Sequence, residues 1–223
     1  MILADRKDAG QRLARELLRF RGSDVVVLAL PRGGVPVGLE IAQALGAPLD
    51  LVLVRKIGAP FQRELAVAAV VDGETPETVE NEDVMAELAV TEAYVREEAA
   101  RQLREIERRR QLYLEGRQPV PVEGRIAIVV DDGIATGATM RAALRAVRRR
   151  RPARLVLAVP VAPPDTLEEL RREVDEVVCL ATPAFFGAIG AFYDDFRQLE
   201  DDEVRELLAR AVRRPAGAAP GTP

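Results

Sequence analysis

The sequence predicts an α/β protein built on a parallel five-stranded sheet flanked by helices. Three observations carry that expectation. Five short aliphatic runs, at 24–30, 49–54, 126–130, 155–161 and 176–180, alternate with stretches of helical periodicity. The runs are apolar at consecutive positions rather than at every second one, which is the pattern of strands buried on both faces. Two of them end in loops of glycine and other small residues, and open α/β sheets bind ligands at the carboxyl edge of their strands.

Ala9, Leu13, Leu17 and Phe20 recur at helical spacing behind Asp5, a capping residue, and predict an amphipathic helix over 5–21. The first strand, 24–30, breaks at Pro31, Arg32, Gly33 and Gly34 before a helical pattern over 35–45. That loop has neither the G-x-G-x-x-G spacing of a dinucleotide site nor the Gly-Lys-Ser/Thr of a Walker loop. Its glycines fit a tight turn as well as a ligand cradle. The second strand, 49–54, ends in Arg55 and Lys56. Lys7 and Lys56 are the only lysines among 32 Lys and Arg residues. Lysine at a strand end is therefore either chance or a place that wants a compact ammonium.

Residues 57–124 read as an insertion. Within it, 65–71 is a candidate strand, 72–80 is rich in turn residues, and 83–114 carries one long helical pattern. Leu88, Tyr94, Leu103, Ile106 and Leu112 lie off its charged face, so the helix is a dimer arm, a lid support or a solvated element. Gly116, Pro119, Pro121 and Gly124 return the chain to the centre of the sheet.

There the run 126–130 ends abruptly in Asp131 and Asp132, followed by Ala135, Thr136, Gly137, Ala138 and Thr139 and a helical pattern over 140–149. Backbone N–H groups at a helix start, with no large side chains in the way, form a phosphate seat. Adjacent carboxylates would repel a bare phosphate. A ligand with neutral hydroxyls beside its phosphate satisfies both parts, because carboxylates accept O–H hydrogen bonds strongly. Ribose 5-phosphate has that chemistry. The plainer alternative is a solvated acidic turn with Thr136 or Thr139 as a helix cap.

Strands at 155–161 and 176–180 enclose a helix at 165–172. Four of the six phenylalanines then fall within 182–199, where Phe185, Phe186, Phe192, Tyr193 and Phe196 are interrupted by glycines. They are either a stacking wall for a flat acceptor or the filling of a small hood over 181–200. A helix over 201–212 closes a single domain spanning 1–213, and the Pro, Gly and Ala of 214–223 predict a disordered tail.

Composition removes several classes of chemistry. At 223 residues the chain suits one α/β domain with an insertion. A net charge of −4 gives no global basic field, and the arginines at 108–110 and 148–151 read as solvated helix faces. Cys179 is the only cysteine and there is no histidine, which excludes internal disulfides, the usual zinc sites and Ser-His or Cys-His nucleophiles. Residues 1–20 mix Asp5, Asp8 and Glu16 with basic residues, unlike a signal peptide, and no run approaches the about 18 to 20 apolar residues of a membrane span. The expectation is a soluble cytoplasmic protein.

A hydrophobic strand, two acids, three residues and then Thr-Gly-x-Thr resembles the 5-phosphoribosyl 1-pyrophosphate (PRPP) signature of the type I phosphoribosyltransferases. The whole chain, with its Phe-Tyr-x-Asp-Phe at 192–196, is similar to a bacterial group of that family. The resemblance implies a Rossmann-like fold with a small hood and a mobile flap inside 57–124. It implies that Asp131 and Asp132 hold the ribose hydroxyls, touching Mg²⁺ only indirectly, and that Ala135, Thr136, Gly137, Ala138 and Thr139 hold the 5′-phosphate. Arg32, Gly33, Gly34, Arg55 and Lys56 would meet the pyrophosphate, with Lys56 joining Asp131 and Asp132 as the catalytic set. Phe185, Phe186 and Tyr193 are the acceptor candidates. Mg²⁺ would be the cofactor, and PRPP and a nitrogen acceptor the substrates; the resemblance names no acceptor, and a nucleobase is the expectation, with no nucleic-acid or membrane partner and a homodimer as an option.

Two positions depart from the 6-oxopurine enzymes. Ala135 stands where they carry an acid, and Ala162, Pro163 and Pro164 where they use a lysine, so hypoxanthine and guanine are disfavoured. Adenine-type members tolerate alanine at the first position. Two alternatives remain beside the transferase: a regulatory module that binds PRPP or a nucleotide and acts on RNA, DNA or a protein through its arginine-rich helices, and a nucleotide-binding protein with a decayed site.

Overall fold

The computed structural model describes residues 2–72, 76–114 and 116–212. The tail 214–223 lies outside them, as do 73–75 of the turn-rich stretch. Among the described residues, α1 (Arg6–Leu17) starts behind Asp5, whose side chain accepts the Asp8 N–H at 2.7 Å, and ends in a 3-10 turn over Leu18–Phe20. Then follow β1 (Val25–Ala29), α2 (Gly34–Leu45) and β2 (Leu49–Leu51), and a hairpin of β3 (Val54–Ala59) and β4 (Gln62–Val71) joined by β5 (Glu77–Glu80). Helices α3 (Glu82–Glu87) and α4 (Glu92–Leu114) lead to β6 (Ile126–Val130), α5 (Ala138–Arg149), β7 (Arg154–Val161), α6 (Pro164–Arg171), β8 (Glu176–Ala181) and α7 (Asp201–Val212).

The expected parallel five-stranded sheet is present, in the order β2-β1-β6-β7-β8. Every neighbouring pair is parallel, with Val27 opposite Ile128 and Val129 opposite Leu157 across the central strands. Consecutive apolar residues divide between its two faces, as the period of a strand requires. Val27, Ile128, Val130 and Val156 pack on one face with Leu13 and Leu17 of α1 and Val37 and Ile41 of α2. Val26, Ala127, Val129 and Leu157 pack on the other with Met140, Leu144 and Val147 of α5 and Leu170 of α6. Burying one such aliphatic side chain contributes about 1.5–3 kcal/mol, so β6, buried on both faces, is firmly fixed at the centre of the sheet.

Three expectations need correction. The run 49–54 is not one strand. β2 stops at Leu51, and Arg55 and Lys56 belong to β3 in a separate antiparallel sheet ordered β3-β4-β5. Buried Asp72 makes that turn, accepting the Leu53 N–H at 2.8 Å while its own N–H donates to Leu53 O at 2.9 Å. The stretch 72–80 contains a strand, β5. The helix 83–114 is two helices, separated at Ala89, whose φ is +50°; the Tyr94 N–H, in the first turn of α4, donates to Thr91 Oγ1.

Nor is α4 a solvated element. It buries Val95, Ala99, Ile106, Tyr113 and Leu114, and Tyr94 OH donates to Gly58 O on β3 at 2.9 Å. The segment after β8 folds through a 3-10 turn over Ile189–Phe192 and pairs with the N-terminal residues. The Leu3 N–H donates to Phe192 O, and the Asp194 and Asp195 N–H groups donate to Leu3 O and Ala4 O. Among the described residues no helix is long and apolar enough to cross a membrane.

Candidate active site

Because β1 and β6 are parallel neighbours, the loops leaving their carboxyl ends meet. The Leu30 N–H donates to Val130 O at 3.0 Å, which sets residues 31–34 directly against Asp131 and Asp132. The close approach explains both glycines. A Cβ on Gly33 would overlap the Asp132 carboxylate, and one on Gly34 would stand 2.7 Å from Val130 O and 3.1 Å from the Asp131 Cα. Gly33 has an ordinary helical φ of −61°, so contact with the acid pair, rather than a turn conformation, is what demands glycine there. The Pro31–Arg32 peptide bond in the same loop is cis.

The acids are held from several sides. The Asp132 N–H donates to Asp131 Oδ1 at 2.9 Å, the Tyr193 hydroxyl donates to Asp132 O at 2.6 Å, and Arg6 Nε donates to Asp132 Oδ2 at 2.8 Å. Desolvation, and then the neighbouring Asp132 charge, pushes Asp131 well above the usual carboxylate range. Burial also raises Asp132, while Arg6 opposes the rise. Asp132 is therefore buried and paired rather than the exposed strand-end acid that its position in sequence suggests.

Beyond the acids, Gly133 takes φ +153° with no room for a side chain against Ile189 of the hood segment. Gly137, at φ +75°, is the N-cap residue of α5 and supplies no side-chain cap, so neither Thr136 nor Thr139 fills the cap position. The first-turn N–H groups of α5 thus lack a side-chain acceptor from the cap and sit at the positive end of the helix dipole. Thr166 of α6 anchors the loop, its hydroxyl donating to Ala135 O at 3.0 Å, while Ala135 and Thr136 stay exposed.

A glycine cradle, an acid pair and an uncapped helix start thus lie at the carboxyl edge of a parallel sheet. A family model described as "Phosphoribosyl transferase domain" fits residues 79–197, more than half of the chain. The chain belongs to the type I phosphoribosyltransferase family. A Mycobacterium tuberculosis (strain H37Rv) protein, Rv0571c, provisionally named a phosphoribosyl transferase, is 49% identical over 212 residues, which are 95% of this chain and 47% of that one. Its counterpart MT0597 in strain CDC 1551 matches equally. The chain thus spans about half the length of these curated relatives. The crystal structure of TT1426 from Thermus thermophilus superposes with a TM-score of 0.82 at 43% identity, covering 94% of this chain and 99% of that one.

In this member of the family the remaining candidate site residues are unevenly placed. Arg32 leans toward α7, its Nη1 standing 3.8 Å from Asp201 Oδ1, and Asp201 also accepts the Tyr113 hydroxyl of α4 at 2.5 Å. Arg55 and Lys56 are neighbours on β3 and so face opposite sides of it. Arg55 Nε donates to Gln102 of α4 at 3.1 Å. Lys56 is exposed and lines a cavity of about 380 Å³ with Ala138, Arg141 and Arg145 of α5. Of the two, Lys56 is on the side that faces α5.

The aromatic candidates separate as well. Phe185 is fully exposed, Phe186 stacks on Phe192 with centroids 5.4 Å apart, and Tyr193 is buried against Phe196 at 4.9 Å. The structure thus makes Tyr193 a brace under the acid pair instead of an open platform for a flat acceptor. Sequence reasoning missed Arg6 altogether: it lies 126 residues from Asp132, and no local spacing could reveal the pair.

Proposed function

We propose that the chain transfers ribose 5-phosphate from PRPP to a nitrogen acceptor, a nucleobase, with release of pyrophosphate. The observation that carries this reading is the acid pair set against the 31–34 glycine loop, with the uncapped start of α5 following in the same loop as the acids. In the reaction the C1′–O bond to pyrophosphate breaks, the leaving group keeps the electron pair, the acceptor nitrogen's lone pair forms C1′–N, and the acceptor proton passes to solvent.

The chain's own groups suit an oxocarbenium-like ribose. Asp131 and Asp132 accept the 2′ and 3′ hydroxyls, the α5 N–H groups take the 5′-phosphate, and Gly33, Gly34 and Lys56 face the pyrophosphate. Among the described residues no group of three or more acids or cysteines is placed to hold a metal. Asp131 and Asp132 would meet a PRPP-bound Mg²⁺ only indirectly, through the ribose hydroxyls they accept. The ion would supply charge neutralisation of the leaving pyrophosphate.

The intrachain pairing of the arginine runs supports the transferase reading over the nucleic-acid alternative. Arg108 and Arg109 pair with Glu105, Arg145 with Glu173, and Arg148 with Asp175, so much of the arginine density is neutralised within the chain. The test is to incubate the protein with PRPP, Mg²⁺ and pooled nucleobases and metabolite amines and follow masses. One acceptor gaining a ribosyl phosphate is the expected result. No product together with no PRPP binding overturns the reading.

A further inference from the structure

We infer that Arg6 is a positioning residue for the acid pair, fixing the Asp132 carboxylate so that it meets the ribose hydroxyls of PRPP in one orientation. This rests on the reading of Asp131 and Asp132 as the ribose-binding acids.

Arg6 opens α1, directly after the Asp5 cap that sets where the helix begins. From there its side chain reaches the opposite end of the chain's sequence. Nε donates to Asp132 Oδ2 at 2.8 Å and Nη1 to Arg197 O at 2.9 Å, while the guanidinium lies over the Phe196 ring at 4.0 Å from its centroid. The Arg6 and Asp132 side chains are 11% and 12% exposed. Edge and face of the guanidinium are thus both occupied, so it has one conformation to offer. Phe196 in turn stacks on Tyr193, whose hydroxyl holds the Asp132 backbone carbonyl. Side chain and main chain of Asp132 are therefore gripped by one unit, made of the N-terminal segment and the hood, which Leu3 ties together through hydrogen bonds on both sides.

A surface ion pair would do little for function. This one is different because its anion is a proposed ligand group, and a buried pair that loses its cation leaves a carboxylate free to turn toward other donors or to gain a proton. Lysine keeps the charge but cannot reach Asp132 and Arg197 together, so it should restore only part of the effect.

The test is a double-mutant cycle on PRPP·Mg²⁺ binding by calorimetry, with wild type, Arg6→Gln, Asp132→Asn and the double variant, and a thermal melt of each. Arg6→Gln should weaken PRPP by about tenfold, within the usual range of coupled pairs, and should add nothing once Asp132 is Asn. Arg6→Lys, the variant that keeps a cation if Gln fails to fold, should fall between them, with KM for PRPP rising more than kcat falls. Additive losses, or unchanged affinity in Arg6→Gln, overturn the role of Arg6 while leaving the ribose site standing. A folded wild type that does not bind PRPP overturns the ribose assignment and this inference with it.

Discussion

Gly33 and Asp132 touch across two loops that are separated by the whole insertion, with no space between the Gly33 Cα and the Asp132 carboxylate for a methyl group. Asp132 cannot yield easily, because Arg6 and Tyr193 hold it. Gly33→Ala should therefore distort the acid pair itself. The expected cost is about 1–3 kcal/mol of stability, the usual range for overpacking, together with a loss of PRPP affinity larger than that of Gly46→Ala, where nothing lies within 4 Å of the added carbon although φ is +70°. Denaturant melts and PRPP calorimetry on both variants check it.

The two acids should separate in mutagenesis. Asp131→Asn relieves a carboxylate that desolvation and its neighbour's charge make costly to ionise, so stability at neutral pH should hold or rise while PRPP binding falls. Asp132→Asn removes the anion from a buried pair with Arg6 and should destabilise by about 3–5 kcal/mol. Chemical denaturation of the single variants reads the difference. Equal stability in both would mean that the Arg6 pair contributes nothing to the fold.

How much of this was legible in the sequence follows from the range of the interactions. The parallel sheet was legible because β1, β6 and β7 are continuous aliphatic runs, a signal within five to eight residues. The candidate loop 131–139 could be singled out in the sequence because its acids, threonines and glycine are nearly consecutive. The break after Leu51 was not, because the residue that turns the chain is Asp72, nineteen positions away from the Leu53 N–H it accepts. Composition at 49–54 is the same whether the strand continues or folds back. Likewise the aromatics of 182–199 announced a packed unit, but nothing local showed that Tyr193 and Phe196 face the acid pair and Arg6 while Phe185 faces solvent.

Asp72 gives a pH signature of its own. Burial pushes its carboxyl up to about 6, against the opposing pull of the Leu53 N–H, Arg150 and Arg110. A folded pKa above the unfolded value means that the folded state binds the proton more tightly. Its contribution is then largest in acid and is lost as pH rises from about 4 to about 6, opposite in sign to a carboxylate whose pKa is lowered on folding. Wild type should lose about 2–3 kcal/mol across that window relative to Asp72→Asn, measured by urea melts at pH 4, 5, 6 and 7. A parallel pair of pH profiles would remove Asp72 as the titrating group.

Arg55 and Lys56 separate the two sides of the β3–β4 hairpin. Lys56 opens toward Ala138, Arg141 and Arg145 along α5, whereas Arg55 is engaged with Gln102 of α4. If the hairpin carries a cation to the pyrophosphate, Lys56→Ala should lower kcat/KM for PRPP by at least about tenfold, the scale of one lost charge-assisted contact in a transition state. Arg55→Ala should instead loosen the packing of α4 on β3, shifting stability by about 1 kcal/mol through one hydrogen bond, with kcat/KM close to wild type. Steady-state kinetics and melts on the two variants decide between them. A larger kinetic loss in Arg55→Ala would mean that the working hairpin presents its α4-facing side to the substrate, which requires the β3–β4 sheet to rotate away from Gln102 when PRPP binds.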